Sequence, residues 1–137
     1  MANNLKYSAV LKNAQQAAIT STVGASALLQ IYSGTQATNP DTAIGAQVLL
    51  ATLTCNATFA PAASGGVLTL NSITNGTGTA GAAGGTTATW FRITTSGATP
   101  HVDGTVGISG ADLNLNNTSI ATGQTVSVTS FTLTNNQ

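Results

Sequence analysis

The segment QTVSVTSFTLT at residues 124–134 decides the fold class, because polar and apolar side chains alternate along nearly its whole length. In an extended strand Val126 and Val128 share one face, whereas Phe131 lies on the opposite face. The buried face must therefore switch near Ser130, as a β-bulge or a bend would produce. The pattern predicts a strand with one buried face and a local irregularity.

The same period of two recurs in other segments rich in Val, Ile, Leu and Thr, which are separated by Gly, Asn, Ser or Pro. The predicted strands are 27–33, 47–55, 66–73, 86–95, 101–107, 112–116 and 124–134. Short strands with frequent turn signals favour an antiparallel β-sandwich of jelly-roll type. The β body is expected to extend over about residues 27–134.

Residues 5–23 are the segment with helical spacing. Its apolar positions are Leu5, Ala9, Val10, Ala14, Ala17 and Ala18. Gly24 follows as a stop signal. The spacing predicts one N-terminal helix, and a chain of 137 residues is of the size expected for a single domain spanning residues 1–137.

Two loops interrupt the β pattern. Residues 34–46 contain the turn sequence Asn39-Pro40-Asp41, and residues 74–85 consist almost entirely of Gly, Ala, Thr and Asn. A segment of low complexity buries little surface, so the second loop is expected to be a mobile tip. The alternative is a segment that becomes ordered against a neighbouring subunit.

Ionic residues are unusually scarce: charged residues make up 4% of the chain, against about 25% in typical proteins. A folded monomer of this mass exposes roughly 6,500 Å², so large areas must be free of charge. An association patch covers about 800 Å² per partner and its core is depleted of Lys, Glu and Asp. The composition therefore favours extensive protein–protein contact, whereas three basic residues do not supply a nucleic-acid-binding track.

Cysteine and hydropathy patterns bear on location. The single Cys55 has no partner for an internal disulfide, which favours synthesis in a reducing cytoplasm. No apolar run reaches the roughly 18 residues of a membrane-spanning helix, so no membrane association is expected. Lys6 and Lys12 precede a partly apolar stretch, but polar residues interrupt it and no signal peptide is expected.

Residues that could carry chemistry are few. Asp41 and Asp112 occur in turn-like contexts, where Asp commonly caps the backbone. His101 and Asp103 would share one face of a strand and resemble a base with its orienting carboxylate, but the plainer interpretation is a hydrogen-bonded pair beside a turn. One His and one Cys do not form a metal site. We expect no enzyme activity, no cofactor and no metal.

Trp90 and Arg92 are the candidate interface residues. They share one face of the predicted strand 86–95, and Phe91 and Ile93 share the other. If Phe91 and Ile93 lie in the core, Trp90 and Arg92 face outward as an exposed pair of the kind that anchors interfaces. The alternative places Trp90 in the core and Phe91 under a loop, and alternation does not decide between the two.

Four runs carry a resemblance to a known class of proteins: LLQIYSGTQ at 28–36, LLATLT at 49–54, ATWFRIT at 88–94 and VDGTVGISGADLNLN at 102–116. Together they resemble small virion structural proteins of tailed bacteriophages, of the head decoration or cement type. The resemblance extends from about residue 28 to 128. It implies a jelly-roll sandwich on the outside of the capsid lattice that bridges subunits of the major capsid protein, as a homo-dimer or homo-trimer.

Two other functions stay open at this point. One is a structural component of the phage tail or fibre. The other belongs to a different class: a carbohydrate-binding module could use Trp90, Tyr32 or Tyr7 as a platform on which a sugar ring stacks, since sandwich folds often host such sites.

Overall fold

The computed structural model describes residues 4–79 and 86–136. Over these residues the protein is mainly β, with 35% of them in strands and 12% in helix, as the alternation predicts. Helix α1 spans Ala9–Val23. The strands are β1 (Leu28–Ser33), β2 (Val48–Thr54), β3 (Val67–Thr69), β4 (Gly76–Thr77), β5 (Thr86–Thr87), β6 (Trp90–Thr94), β7 (Pro100–Gly107), β8 (Leu113–Asn114), β9 (Ser119–Ile120), β10 (Thr125–Val126) and β11 (Thr132–Thr134).

Helix α1 begins four residues later than the spacing predicts. The Ser8 side chain caps it by accepting a hydrogen bond from the Leu11 N–H at 3.2 Å. Gly24 ends it, as predicted, with a φ of 77° that a residue without a Cβ adopts at little cost, and its N–H donates to the Thr20 carbonyl. The helix of residues 5–23 is therefore confirmed over residues 9–23.

The largest sheet has five strands in the order β2-β1-β6-β7-β8. Neighbours are antiparallel except for β7 and β8, which run parallel over two residues. Two register shifts interrupt the ladders: Leu50 is the extra residue of β2 opposite β1, and His101 is the extra residue of β7 opposite β6. Each such bulge changes the direction of the side chains around it.

Three two-stranded ladders complete the described β structure: β3 with β11, β4 with β10, and β5 with β9. Their side chains join one face of the five-stranded sheet in the main hydrophobic core. The core includes Leu29, Ile31, Phe91 and Ile93 from that sheet and Leu68, Val126, Val128 and Phe131 from the rest of the chain. The opposite face of the sheet carries a second, smaller cluster.

The switch predicted within residues 124–134 is confirmed. Val126, Val128 and Phe131 are buried while Ser130 is exposed. The segment is divided, however, into β10 and β11, which pair with different strands. Predicted strands 66–73, 86–95 and 112–116 are likewise present as shorter or divided strands.

Part of the predicted glycine-rich loop is packed against the body of the protein. Gly76 lies in β4 and pairs with β10, and Gly78 forms a bridge to Ala51 of β2. A Cβ at Gly76 or Gly78 would collide with the main-chain carbonyl of Thr52 or Ala121, respectively. These two glycines therefore allow a close approach of backbones, so the prediction of a mobile tip is wrong for residues 74–79. Residues 80–85 lie outside the described part.

Candidate functional site

Trp90 and Arg92 lie on the face of the five-stranded sheet opposite the main core, as strand alternation requires once Phe91 and Ile93 are buried in that core. Both side chains are nevertheless buried: Trp90 is 0% exposed and the Arg92 side chain is 4% exposed. Loop 34–47, between β1 and β2, contributes the residues that bind or pack against them. The prediction that Trp90 and Arg92 form an exposed pair is therefore wrong.

Arg92 is the centre of the polar contacts beneath loop 34–47. Its Nε and Nη2 donate to the two carboxylate oxygens of Asp103, each at 2.7 Å. Nη1 donates to the Thr42 carbonyl at 3.0 Å and Nη2 to the Asn39 carbonyl at 3.2 Å. The hydrogen bond with Asp103 raises the pKa of Arg92. The guanidinium thus stays charged and ties the loop backbone to the sheet.

Aromatic packing surrounds this ion pair. The Tyr32 ring stacks on Trp90 with centroids 4.7 Å apart, and Arg92 Cζ lies 5.4 Å from the centroid of the Trp90 ring. Ala37 of the loop and Leu49 pack against the two rings. Burial raises the pKa of Tyr32. Each ring covers a face of the other, so Trp90 and Tyr32 do not offer the sugar-stacking platform that a carbohydrate-binding module requires.

His101 and Asp103 are not brought together. The bulge in β7 places its extra residue at His101. Asp103 binds Arg92, whereas His101 lines a small cleft beside α1 with Ile19, Thr22 and other helix residues. The prediction that the two side chains share a face is therefore wrong, because a register shift between them breaks the period of two.

Two other ionisable candidates, Asp112 and Cys55, are hydrogen-bonded or buried within the protein. The Asp112 carboxylate accepts hydrogen bonds from the N–H and the hydroxyl of Thr105, both at 2.8 Å, and the backbone bond is the main cause of the lowered pKa of Asp112. Cys55 is buried, and desolvation raises the pKa of its thiol to about 11.

Among the described residues, no group of three His, Cys, Asp or Glu side chains is placed to hold a metal ion. No helix in that part of the chain has the length and apolar character needed to cross a membrane.

Five apolar residues of α1 face away from the protein. Val10 is 79% exposed and Leu11 46% exposed, and Ala14, Ala17 and Ala18 are also exposed. These five residues are called the α1 outer face. Because positions 10, 14 and 17 follow one another at helical spacing, they form a continuous stripe along the helix.

The inward side of α1 is held largely by amide groups. The buried Gln16 donates from Nε2 to the carbonyls of Gly66 and Leu133, at 2.9 and 2.8 Å. The side chain of Asn13 accepts a hydrogen bond from the Gly66 N–H at 2.8 Å. Val23 supplies a buried apolar contact near the end of the helix. The apolar spacing therefore predicts the helix correctly but does not mark its buried side.

A groove of about 780 Å³ lies between α1, β7 and β11. Its apolar lining includes Ile19, Phe91, Val102 and Leu133, and its polar lining includes Thr132, Thr134, Asp112 and Asn136. This β7–β11 groove was missed from the sequence, because the residues that line it come from distant segments. Its volume is within the roughly 300–1,000 Å³ that binding pockets commonly occupy.

No protein-family model matches the sequence, no curated protein matches it, and no solved structure matches the fold.

Proposed function

We propose that this chain is a structural virion protein of a tailed bacteriophage, of the capsid decoration or cement type, that binds the outside of the capsid lattice and stabilises it by bridging subunits. The proposal rests on the resemblance of residues 28–128 to such proteins. The observation that carries it is the α1 outer face. This helix exposes the apolar side chains of Val10 and Leu11 to solvent and contacts its own protein through the polar side chain of Gln16. Such an exposed apolar surface is typical of an element that contacts a partner.

The distribution of charge supports extensive contact. Arg92 and Asp103 neutralise each other beneath loop 34–47. The ionic side chains that remain are Lys6, Lys12, Asp41 and Asp112, on an accessible surface of 7203 Å². A contact of about 800 Å² per partner fits between them without desolvating a charge. The α1 outer face contains none of these four residues.

The finer fold and the partners belong to the same proposal. A five-stranded sheet whose inner face shares one core with the short ladders is compatible with a jelly-roll sandwich. The partners would be the major capsid protein and further copies of this chain, as a dimer or a trimer. The protein would be synthesised in the bacterial cytoplasm and reside on the capsid surface.

Co-sedimentation with purified shells that lack the protein tests this function. We expect saturable binding that changes little up to about 1 M salt, because a contact without charges is not screened. Val10→Asp should weaken binding, since it would desolvate a charge in the contact. The matched control is Ser96→Asp, which places the same charge at an exposed turn position outside the α1 outer face. A chain that never sediments with shells would refute the capsid role.

The location on the particle separates the capsid role from a tail or fibre role. Antibodies against the protein, imaged on whole virions by electron microscopy, should label the head. Label confined to the tail or fibres would replace the decoration role with that of a tail component.

A further inference from the structure

Two strand edges border the β7–β11 groove without a strand between them. In the described part of the chain β11 pairs with β3 alone, and β7 pairs with β8 over Val106 and Gly107 only. Val102 and Asp103 of β7 and Thr132–Thr134 of β11 line the same groove. Unpaired strand edges are templates for an added strand.

Hydrogen-bond alternation shows which main-chain groups of β11 face the groove. The Leu70 N–H donates to the Phe131 carbonyl, and the Asn135 N–H donates to the Gly66 carbonyl, both at 2.9 Å. In an antiparallel ladder, residues at every second position direct both main-chain groups towards the same neighbour. Residues 131 and 135 therefore face β3, and Thr132 and Thr134 direct their N–H and C=O groups towards the groove.

The same alternation applies to β7. The Val106 N–H donates to the Thr89 carbonyl at 2.9 Å, on the side of β6. The Thr105 N–H points the other way and donates to Asp112. Asp103 has the same parity as Thr105, so its main-chain groups also face away from β6, towards the groove.

Residues 4–8, called the arm, have the features of a strand that fits this groove. They precede α1 and lie outside the helix and strands. Leu5 and Tyr7 alternate with Lys6, so an extended arm has one apolar side and one charged side. Leu5 is 58% exposed. Five extended residues span about 16 Å, which matches the length of the five residues 132–136 at the groove edge.

Charge favours the arm as the occupant. Lys6 is exposed, and Asp112 is one of the residues that line the groove. The hydrogen bonds from Thr105 lower the pKa of Asp112 and keep this carboxylate ionised at neutral pH. The floor beneath it is lined by Phe91 and Val102, which suit an apolar side chain.

We propose that residues 4–8 of a second copy of this chain bind in the β7–β11 groove as a strand added to the free edge of β11. The arm bonds to the main chain of Thr132 and Thr134, Leu5 lies over the apolar floor, and Lys6 lies beside Asp112. This contact forms in the isolated protein and does not require a capsid.

Sedimentation analysis of the full chain and its variants tests the proposal. We expect concentration-dependent self-association of the natural chain, and Leu5→Asp should raise the dissociation constant at least about tenfold, because a buried leucine is replaced by a charge. The control is Ile108→Asp, which places the same charge at an apolar residue that is 68% exposed and lies outside the arm and the groove, and which should leave the dissociation constant unchanged. A monomeric natural chain, or equal association of the Leu5→Asp variant, would overturn the proposal.

Photo-crosslinking of a folded mixture gives a second measurement that does not depend on a destabilising change. A benzophenone amino acid at position 5 is introduced into isotopically light chains, which are mixed with heavy chains lacking it. The expected products join light to heavy chains, at residues of the groove such as Phe91, Val102 or Leu133. Crosslinks within one chain, or between chains at residues outside the groove, contradict arm exchange.

Discussion

Arg92 and Asp103 form a two-pronged ion pair on adjacent strands, with both N–O distances at 2.7 Å and side chains that are 4% and 3% exposed. The two residues are direct partners in the register of β6 and β7. The guanidinium has donors left over, and these bind the carbonyls of Asn39 and Thr42. The pair therefore contributes to holding loop 34–47 over the sheet, and its two members neutralise each other among the few charges in the chain.

Removing one member of this pair should lower the free energy of unfolding more than removing both. Arg92→Met leaves the Asp103 carboxylate buried without its partner, and we expect the free energy of unfolding to fall by about 3–5 kcal/mol. The double variant Arg92→Met with Asp103→Leu should recover much of that loss. Urea denaturation of the three proteins measures the difference. A loss below about 1 kcal/mol for Arg92→Met alone would show that the pair is solvated.

The Phe91 ring lies so close to Gly104 that there is no room for a side chain at this position. It is the partner of Phe91 in the β6–β7 register, and a Cβ there would lie 2.6 Å from two atoms of the Phe91 ring. Gly104→Ala should therefore lower the free energy of unfolding by about 1–3 kcal/mol. Gly97→Ala is the control, because a Cβ at Gly97 meets only the Thr95 hydroxyl at 3.7 Å. Equal losses in the two variants would contradict this role of Gly104.

The attachment of α1 should depend on Gln16 and not on its neighbour. Gln16→Ala removes two hydrogen bonds to the main-chain carbonyls of Gly66 and Leu133, and we expect a loss of about 2 kcal/mol. Gln15→Ala changes an exposed residue whose side chain accepts one hydrogen bond from Asn135, and should cost under about 0.5 kcal/mol. Thermal unfolding followed by circular dichroism compares them. If Gln15→Ala destabilises the protein as much as Gln16→Ala, the hydrogen bonds of Gln16 are not what attaches α1.

The pH dependence of stability should reveal the buried thiol of Cys55. Burial raises its pKa from 9.0 to about 11, so the thiol ionises more readily in the unfolded chain than in the folded one. The contribution of the protonated thiol to the free energy of unfolding is fully present below pH 9 and is lost as the pH rises from 9 towards 11. We expect the difference in unfolding free energy between the natural chain and Cys55→Ala to shift in favour of Cys55→Ala over this range. A difference that does not change with pH would place the thiol in solvent.

Local patterns predicted the β-rich fold and the helix because both depend on periods within a few residues of the chain. The switch near Ser130 and the stop at Gly24 were predictable for the same reason. The orientation of α1 was not predictable: its apolar spacing indicates a buried stripe in most proteins, but here Gln16 donates hydrogen bonds to two carbonyls from distant segments, the turn before β3 and strand β11.

The site residues were predicted less well, for two physical reasons. Alternation assigns Trp90 and Arg92 correctly to the face opposite Phe91, but it does not show that loop 34–47 folds over that face. The bulge at His101 has no local signature in the sequence, so the expected pairing with Asp103 failed. The β7–β11 groove depends on strands that the chain brings together only on folding.

A cryo-electron microscopy reconstruction of purified shells saturated with the protein tests the proposed capsid role most directly. We expect density for the protein on the outside of the lattice, with Val10, Leu11 and Ala14 of the α1 outer face packed against a capsid subunit. Density in which α1 faces solvent, or shells that show no added density at saturating protein, would contradict it.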